Sequence, residues 1–362
     1  MFTPWLKPAP RPSADHPSHT IGHRLSGRRS RRKLAVALIG LDAAVAERTR
    51  SALYECSWAF DDLALADLGD VRKRTPDFLI PLLRELHAGG IVPVLIGGRS
   101  TDFRTQYTAF SELARLPSVL HVDQRVELSA AEEGGRVLDG LAYRRGGPPF
   151  HLAHLGAQQQ LVDPALWDLI YRRAYESVRL GAARAQLSEL EPVIRDADLV
   201  GIDVRAVQYA EAPARPGFHP SGFTLQEASQ LAFYAGNSDK LTSFGLYGLD
   251  PADKSAADVR LTATAYAQLI WYFLSGLHQR YGDFPATTQG LLEYVVDIAN
   301  LDRLTFWRSP RSNRWWVQCP AGTFGGEERH RLVPCSYQDY LTASGEQELP
   351  ERLVRAFRRF RD

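Results

Sequence analysis

The sequence predicts a three-layer α/β protein, in which a doubly wound and mostly parallel sheet carries helices on both faces, with a small C-terminal extension. Three observations support this fold class. Short apolar runs of strand length recur over residues 34–280, and amphipathic helical patterns separate them. Several runs end at glycine or charged residues, as strands do where an open sheet forms a binding crevice. After residue 283 the pattern changes to a hairpin and a terminal helix.

The strand predictions begin with two runs near the start of the α/β pattern. Residues 34–40 form an apolar run that ends in glycine, which is typical of a central parallel strand, and residues 63–68 form a weaker one. Later apolar runs of similar length predict further strands at residues 91–96, 119–122, 151–156, 197–203 and 241–247.

Helical patterns fill the intervals between these strands. Thr75 and Pro76 are a preferred N-cap and a tolerated first residue of a helix that stops at Gly89. Ser188 and Glu191 have the spacing of a capping box. The remaining predicted helices cover residues 103–114, 164–186, 225–234 and 259–277, and a long polar loop over the crevice is expected at 127–147.

Composition indicates a soluble globular protein. Of 362 residues, 44% are hydrophobic and 23% are charged, which allows a substantial core. No run of 18 apolar residues occurs, so we expect no membrane span. The three cysteines argue against a disulfide framework and favour the reducing cytoplasm.

We expect three segments along the chain. Residues 1–33 contain eight Lys and Arg against one Asp, but their Pro, Ser and His content favours a disordered basic tail over a nucleic-acid-binding or lipid-binding arm. Residues 34–282 form the α/β domain, and residues 283–362 form an appended hairpin and helix module.

Charged and polar residues follow three predicted strands at the point where each strand ends. Because the carboxyl ends of parallel strands meet at one edge of a sheet, we expect these side chains to form one site. The predicted site residues are Arg99, Ser100, Asp123, Arg125, Glu127, Asp203, Arg205 and Gln208.

The order and spacing of these strand ends resemble the ureohydrolase superfamily, which contains arginase, agmatinase and formimidoylglutamase. Residues 97–100, 123–127, 203–208 and 247–251 carry the resemblance, and residues 220–227 are similar to the family's Gly-Gly-Leu-Thr-x-x-Glu signature. The C-terminal Trp315-Trp316 and 332–337 segments are similar to a formimidoylglutamase-like branch. The resemblance implies an arginase-like fold for residues 34–280.

The resemblance also implies a site for two manganese ions, held by two His and four Asp. In that family a hydroxide bridges the two ions and attacks a guanidinium or formimino carbon. In this chain the position of the family's first metal-binding His is occupied by Ser100. The family's Asp-x-His-x-Asp motif corresponds to Asp123, Arg125 and Glu127. The family's His-Gly-x-Pro loop aligns with residues 146–149, which contain no His.

The third motif has also lost metal-binding residues of the family pattern. Its Asp-x-Asp becomes Asp203 and Arg205, Gln208 replaces the Asp that follows, and Gly248 replaces the Glu that grips the substrate's charged end. Arginine offers no lone pair to a metal. If Arg125 and Arg205 point inward, they replace the metals electrostatically.

These substitutions predict a non-catalytic binding or regulatory pseudoenzyme without a cofactor. The alternative is an active C–N hydrolase in which Asp123, Glu127 and Asp203 bind manganese and an arginine holds a substrate carboxylate. For the charged residues themselves, a structural salt-bridge cluster is the preferred interpretation, and a ligand-binding pocket is the alternative. We expect a small guanidino or carboxylate ligand and a homo-oligomer, with no membrane and no nucleic-acid partner.

Two further groups of residues carry chemically versatile side chains. His151 and His154 are expected on one strand face, as hydrogen-bonded core histidines or, alternatively, with one as a general base. Cys319, His330 and Cys335 fit no common zinc spacing, so buried cysteines are the preferred interpretation.

Overall fold

The protein is described by a computed structural model that covers residues 2, 4–27, 33–111, 116–129, 136–142, 149–284, 287–298, 301–320 and 331–360. Its centre is a nine-stranded sheet. In chain order the strands are β1 (Leu6–Lys7), β2 (Val36–Gly40), β3 (Leu65–Val71), β4 (Val92–Ile96), β5 (Ser118–Val122), β6 (His151–Ala157), β7 (Glu176–Arg179), β8 (Leu199–Asp203) and β9 (Ser243–Tyr247).

The strands lie in the order β1-β3-β2-β4-β9-β8-β5-β6-β7. All neighbours are parallel except β1, which pairs antiparallel with β3. The predicted fold class, a mostly parallel α/β sheet, is therefore confirmed. The order in which the strands are added to the sheet changes direction at the adjacent strands β4, β9, β8 and β5. The carboxyl ends of these four strands therefore border a crevice.

Helices cover both faces of this sheet. They are α1 (Ile21–Ser26), α2 (Ala43–Glu55), α3 (Pro76–Ala88), α4 (Asp102–Ser111), α5 (Asp139–Ala142), α6 (Ala165–Arg172), α7 (Leu180–Ala185), α8 (Glu191–Arg195), α9 (Leu225–Asn237) and α10 (Ala256–His278). Alternate residues of β2 enter different cores: Val36 and Leu38 join one, Ala37 and Ile39 the other. This alternation is what a parallel strand buried on both faces requires.

The C-terminal extension is a separate four-stranded antiparallel sheet with its own core. Its elements are β10 (Leu292–Ile298), β11 (Leu301–Arg308), β12 (Trp315–Gln318), β13 (Leu332–Cys335), α11 (Tyr337–Glu346) and α12 (Glu351–Arg358). The predicted hairpin is present, because Trp307 of β11 pairs with Trp316 of β12. Arg195 of the main domain donates to the carbonyls of Trp315 and Cys335, which ties the two units together.

The prediction of a disordered N-terminal tail is wrong for residues 4–27. Leu6 of β1 pairs with Val71 of β3 and is buried. Ile21 is fully buried, and Thr20 caps helix α1 by accepting the His23 amide. The segment is polar overall, but Leu6 and Ile21 each join one of the two cores of the main sheet. Residues 28–32, which hold most of the arginines, lie outside the described residues.

Two local predictions in the second half of the sheet are also wrong. The helix expected over residues 164–186 is interrupted by β7, because pairing with β6 overrides the local helical spacing. The expected capping box at Ser188 is replaced by a 3₁₀ turn over Leu187–Leu190, and no side chain caps helix α8. Helix α2, which begins at its cap Asp42, was not predicted.

None of the helices in the described ranges combines the length and the apolarity that a membrane crossing requires.

Candidate functional site

Three buried or half-buried side chains meet where β4, β5 and β8 end. Asp203 is the last residue of β8, and Asp123 follows β5 directly. Both carboxylates are completely buried. Ser100, in the loop after β4, donates its hydroxyl to Oδ2 of Asp203. The strand order therefore brings together residues that are about 100 positions apart in the sequence, as expected from a parallel sheet.

The guanidinium of Arg205 lies among three carboxylates. Its Nη2 is 2.5 Å from Oδ2 of Asp123, its Nη1 is 2.9 Å from Oε1 of Glu127, and its Nε is 3.0 Å from Oδ1 of Asp203. The Arg205 side chain is 15% exposed, so these are largely buried, charge-assisted hydrogen bonds. Each nitrogen of the planar fork thus has its shortest contact with a different carboxylate, and Nη2 also lies 3.4 Å from Oδ2 of Asp203. We refer to Ser100, Asp123, Glu127, Asp203 and Arg205 as the Arg205 cluster.

Local backbone geometry turns Arg205 inward. Asp203 accepts the Arg205 backbone N–H through Oδ1 at 2.9 Å and thereby caps a 3₁₀ turn over Val204–Ala206. Buried Arg215 holds this turn from the other side, donating Nη1 to the carbonyls of Val204, Arg205 and Val207. Sequence reasoning missed Arg215, since an arginine in a Pro/Gly-rich loop gives no signal of such a role.

The cluster separates the protonation behaviour of its two buried aspartates. Burial raises the pKa of Asp203, but the charge of Arg205 and the Ser100 hydrogen bond outweigh it, so the net pKa is lowered. Burial and then the neighbouring Asp203 charge raise the pKa of Asp123 well above its ordinary value. Burial would lower the pKa of Arg205, but the three carboxylates raise it. Of the two aspartates, Asp203 is therefore the ionised one, and Asp123 holds a proton more readily.

Two neutral histidines lie beneath the cluster. His121 of β5 is completely buried, and burial is the main reason that its pKa falls to about 4. Burial, followed by nearby His121, lowers the pKa of His154 to about 3. The two ring centres are 5.8 Å apart. Neither ring carries a charge at neutral pH.

The expectation that His151 and His154 share a strand face is wrong. Side chains three positions apart in a strand point to opposite faces. His154 bonds the carbonyl oxygen of Arg125 through Nε2 at 2.8 Å, whereas Nε2 of His151 lies 3.7 Å from Oε2 of Glu176. Only His154 is close to the Arg205 cluster.

Three predicted site residues lie around the cluster instead of in it. Arg99 is exposed, and its backbone N–H donates to Asp102 at 2.8 Å. Gln208 is half-buried, and its backbone N–H donates to the carbonyl of Phe223 at 2.8 Å. Arg125 does not insert between the carboxylates, so the condition that both arginines point inward is met by Arg205 and not by Arg125.

Arg125 turns toward the rim of the crevice. Its Nη2 lies 3.2 Å from Nε2 of His219, in the loop between β8 and α9. The difference from Arg205 follows from the backbone, since the turn that directs Arg205 inward has no counterpart in the described residues after Asp123.

Neither the loop at residues 146–149 nor the group of Cys319, His330 and Cys335 forms a site in the described residues. Residues 146–148 of this chain, which align with the family's His-Gly-x-Pro loop, lie outside the described residues. His330 does so too, while Cys319 and Cys335 are buried and unbridged, as the preferred interpretation of these cysteines expected.

The Arg205 cluster does not have the form of a site for a pair of manganese ions. Within the described ranges, no group of three or more His, Cys, Asp and Glu side chains could hold a metal ion. A divalent ion about 4 Å from a guanidinium would be repelled by on the order of 8 kcal/mol at an effective dielectric constant of about 20. Because Arg205 bonds all three carboxylates, the residues as arranged do not fit a metal.

Gly248, where the resemblance places a substrate-gripping Glu, also differs in its geometry. Its φ is +85°, and a Cβ there would lie 2.6 Å from Oδ1 of Asp203. A side chain at this position would therefore collide with the Arg205 cluster.

A cleft of about 830 Å³ opens far from this cluster. Leu34, Leu65 and Ile91 line it, and these residues lie at or just before the starts of β2, β3 and β4. The cleft is therefore at the amino-terminal edge of the sheet, opposite the crevice. We regard the crevice as the candidate site because the charged side chains converge there.

Comparison with known proteins gives a match in structure and none in sequence. No protein-family model and no curated protein matches the sequence. The fold is similar to that of Trypanosoma cruzi formiminoglutamase with Mn²⁺, at 16% identity and a TM-score of 0.61, over 71% of this chain and 98% of that one.

Two other solved structures give the same result. Bacillus subtilis formimidoylglutamase is 19% identical, with a TM-score of 0.57 over 69% of this chain and 89% of its own. The agmatine ureohydrolase of Thermoplasma volcanium is 15% identical, with a TM-score of 0.56 over 70% of this chain and 92% of its own. The chain thus has the arginase-like fold of the ureohydrolases, as the sequence resemblance implied.

Proposed function

We propose that this protein is a metal-free, non-catalytic binding or regulatory protein built on the ureohydrolase fold. The observation that carries the proposal is the position of Arg205, whose guanidinium bonds Asp123, Glu127 and Asp203 at 2.5–3.0 Å. In the family that the sequence resembles, the corresponding carboxylates hold the metals.

The electrostatic balance of the cluster supports this proposal. One fixed positive charge faces two buried carboxyl groups and one that is 17% exposed. Asp123 relieves part of the excess negative charge because its pKa is raised. A metal would have to displace the guanidinium, which would leave Arg205 largely buried and unpaired, an arrangement that costs several kcal/mol.

Manganese binding tests the proposal directly. The protein would be incubated with excess Mn²⁺, passed through a desalting column and analysed for metal. We expect far less than one ion per chain, and no hydrolysis of formimino or guanidino compounds. Near-stoichiometric manganese together with hydrolysis would contradict the proposal.

A matched variant shows whether the substitutions are the cause. Changing Ser100→His, Arg125→His and Arg205→Asp together restores the ligand types that the resemblance implies at these positions. We expect this variant to retain more manganese than the natural sequence. If both proteins retain equally little metal, Arg205 is not what excludes it.

The second candidate is an active C–N hydrolase with an unorthodox metal site. The convergence of Asp123, Glu127 and Asp203 on one point favours it. In that case Asp203→Ala would abolish turnover of a guanidino or formimino substrate. Unchanged turnover in that variant would eliminate this candidate.

We also propose a cytoplasmic location, supported by cysteines 56, 319 and 335, all of which are free thiols. Recovery of the protein from a secreted or membrane fraction would contradict it. A homo-oligomer remains a prediction, and sedimentation analysis would test it.

A further inference from the structure

The rim of the crevice carries a guanidinium that the Arg205 cluster does not use. Arg125 is half-buried, and its Nη2 donates to Nε2 of His219 at 3.2 Å. A guanidinium only donates, so Nε2 of His219 is the acceptor in this contact. Within the described part of the chain no carboxylate pairs with Arg125, although Asp123 and Glu127 are two residues away, because both are bonded to Arg205.

Buried side chains hold the backbone of both Arg125 and His219 in place. His154 bonds the Arg125 carbonyl at 2.8 Å, and Arg215 donates Nη2 to the His219 carbonyl at 2.7 Å. Both supporting side chains are buried. The backbone positions of Arg125 and His219 are thus fixed before any ligand arrives, which lowers the entropic cost of binding.

An exposed aromatic surface adjoins the pair along the chain. Phe218 precedes His219 and is 79% exposed. Its ring centre is 5.9 Å from that of Tyr209, and Nζ of Lys254 is 4.9 Å from the Phe218 ring centre. The rim therefore combines cationic donors with an apolar ring in solvent.

We propose that this rim binds a small carboxylate with a planar apolar body. The carboxylate accepts from the Arg125 guanidinium in place of His219, and the planar group packs on Phe218. This inference rests on the proposed function, because it requires that Arg205 keeps the neighbouring carboxylates occupied.

Three probes separate the parts of the proposal: benzoate, acetate and benzyl alcohol. Binding to the full chain would be followed by ligand-observed NMR titration. We expect benzoate to bind more tightly than either other probe, because only benzoate has both groups. Benzoate that binds no better than benzyl alcohol would overturn the role of Arg125.

Two variants locate the binding site. Arg125→Gln is expected to weaken benzoate binding about tenfold or more, since it removes a charge-assisted hydrogen bond. Phe218→Ala is expected to weaken benzoate but not acetate. Arg303→Gln and Tyr171→Ala remove an exposed arginine and an exposed aromatic elsewhere, and should change neither.

The outcomes also separate this inference from the proposed function. Circular dichroism and thermal unfolding of each variant confirm that it is folded. A manganese-free protein that binds no benzoate, or binds it equally well after Arg125→Gln, overturns the rim site and leaves the proposed function standing. Near-stoichiometric manganese together with hydrolysis of a formimino or guanidino compound in the same preparation overturns the proposed function instead.

Discussion

Replacing Arg205 with leucine should destabilise the protein strongly. Leucine removes the cation and its hydrogen bonds to Asp123, Glu127 and Asp203 while leaving all three carboxyl groups in place. Each contact at about 3 Å has a gross Coulomb energy of roughly 5 kcal/mol at an effective dielectric constant of about 20. Desolvation cancels most of this energy. Removing one partner of a buried ion pair costs about 3–5 kcal/mol, which is the loss we expect.

The loss should depend on pH in a definite direction. In the natural protein the pKa of Asp203 is lowered, so its contribution to stability is present above the unfolded pKa and is lost as pH falls through the folded one. In Arg205→Leu the buried, unpaired Asp203 should have a raised pKa. Its ionisation then destabilises the fold as pH rises. The difference in unfolding free energy should therefore be largest at about pH 8 and smaller at about pH 5.

Urea denaturation followed by tryptophan fluorescence, at several values between about pH 5 and 8, measures this difference. Arg303→Leu is the matched control, because that arginine is 78% exposed and pairs with an exposed Asp297. We expect a change of less than about 1 kcal/mol for the control. A loss below about 1 kcal/mol for Arg205→Leu at the upper end of this range, or one that does not vary with pH, would refute the reasoning.

Two more substitutions test the surroundings of the site. Gly248→Ala should cost about 1–3 kcal/mol in urea denaturation, and more than Gly290→Ala, because both glycines have positive φ but only a Cβ at 248 meets Asp203; equal losses would contradict the clash. Arg359 of the C-terminal extension pairs with buried Asp196 of the main domain, and Arg359→Met should cost about 3 kcal/mol because Asp196 then keeps only its ion pair with Lys240. Arg355→Met should cost little, because its partner Glu351 is 76% exposed. Similar losses for the two variants would show that the Arg359 pair does not hold the extension on the main domain.

The sequence predicts which residues reach the crevice better than it predicts their orientation. Asp123 and Asp203 end neighbouring parallel strands, so their proximity follows from strand order alone. Arg125 and Arg205 each lie two residues after an aspartate, and the sequence treats them alike. They diverge because Arg215 stabilises the turn at 204–206, and a contact ten residues away leaves no periodic signal.

The same limit explains the errors in the fold. Residues 176–179 have helical spacing but pair with β6, and residues 6–7 lie in a polar segment but pair with β3. In both cases a neighbour distant in the sequence supplies the hydrogen bonds that decide the structure. The central strands were predicted well, since continuous apolar runs require burial on both faces wherever they lie.

The geometry of the guanidinium also indicates where a ligand can act. Arg205 joins the end of β8, through Asp203, to the segment after β5, through Asp123 and Glu127, and Ser100 adds the loop after β4. A metal bound there would make similar links, and it would also activate water for attack. A guanidinium makes the links without that chemistry, because it has no open coordination position. Under the proposed function, the floor of the crevice serves structure. The binding that we propose then takes place at the rim, where Arg125 has no carboxylate partner among the described residues.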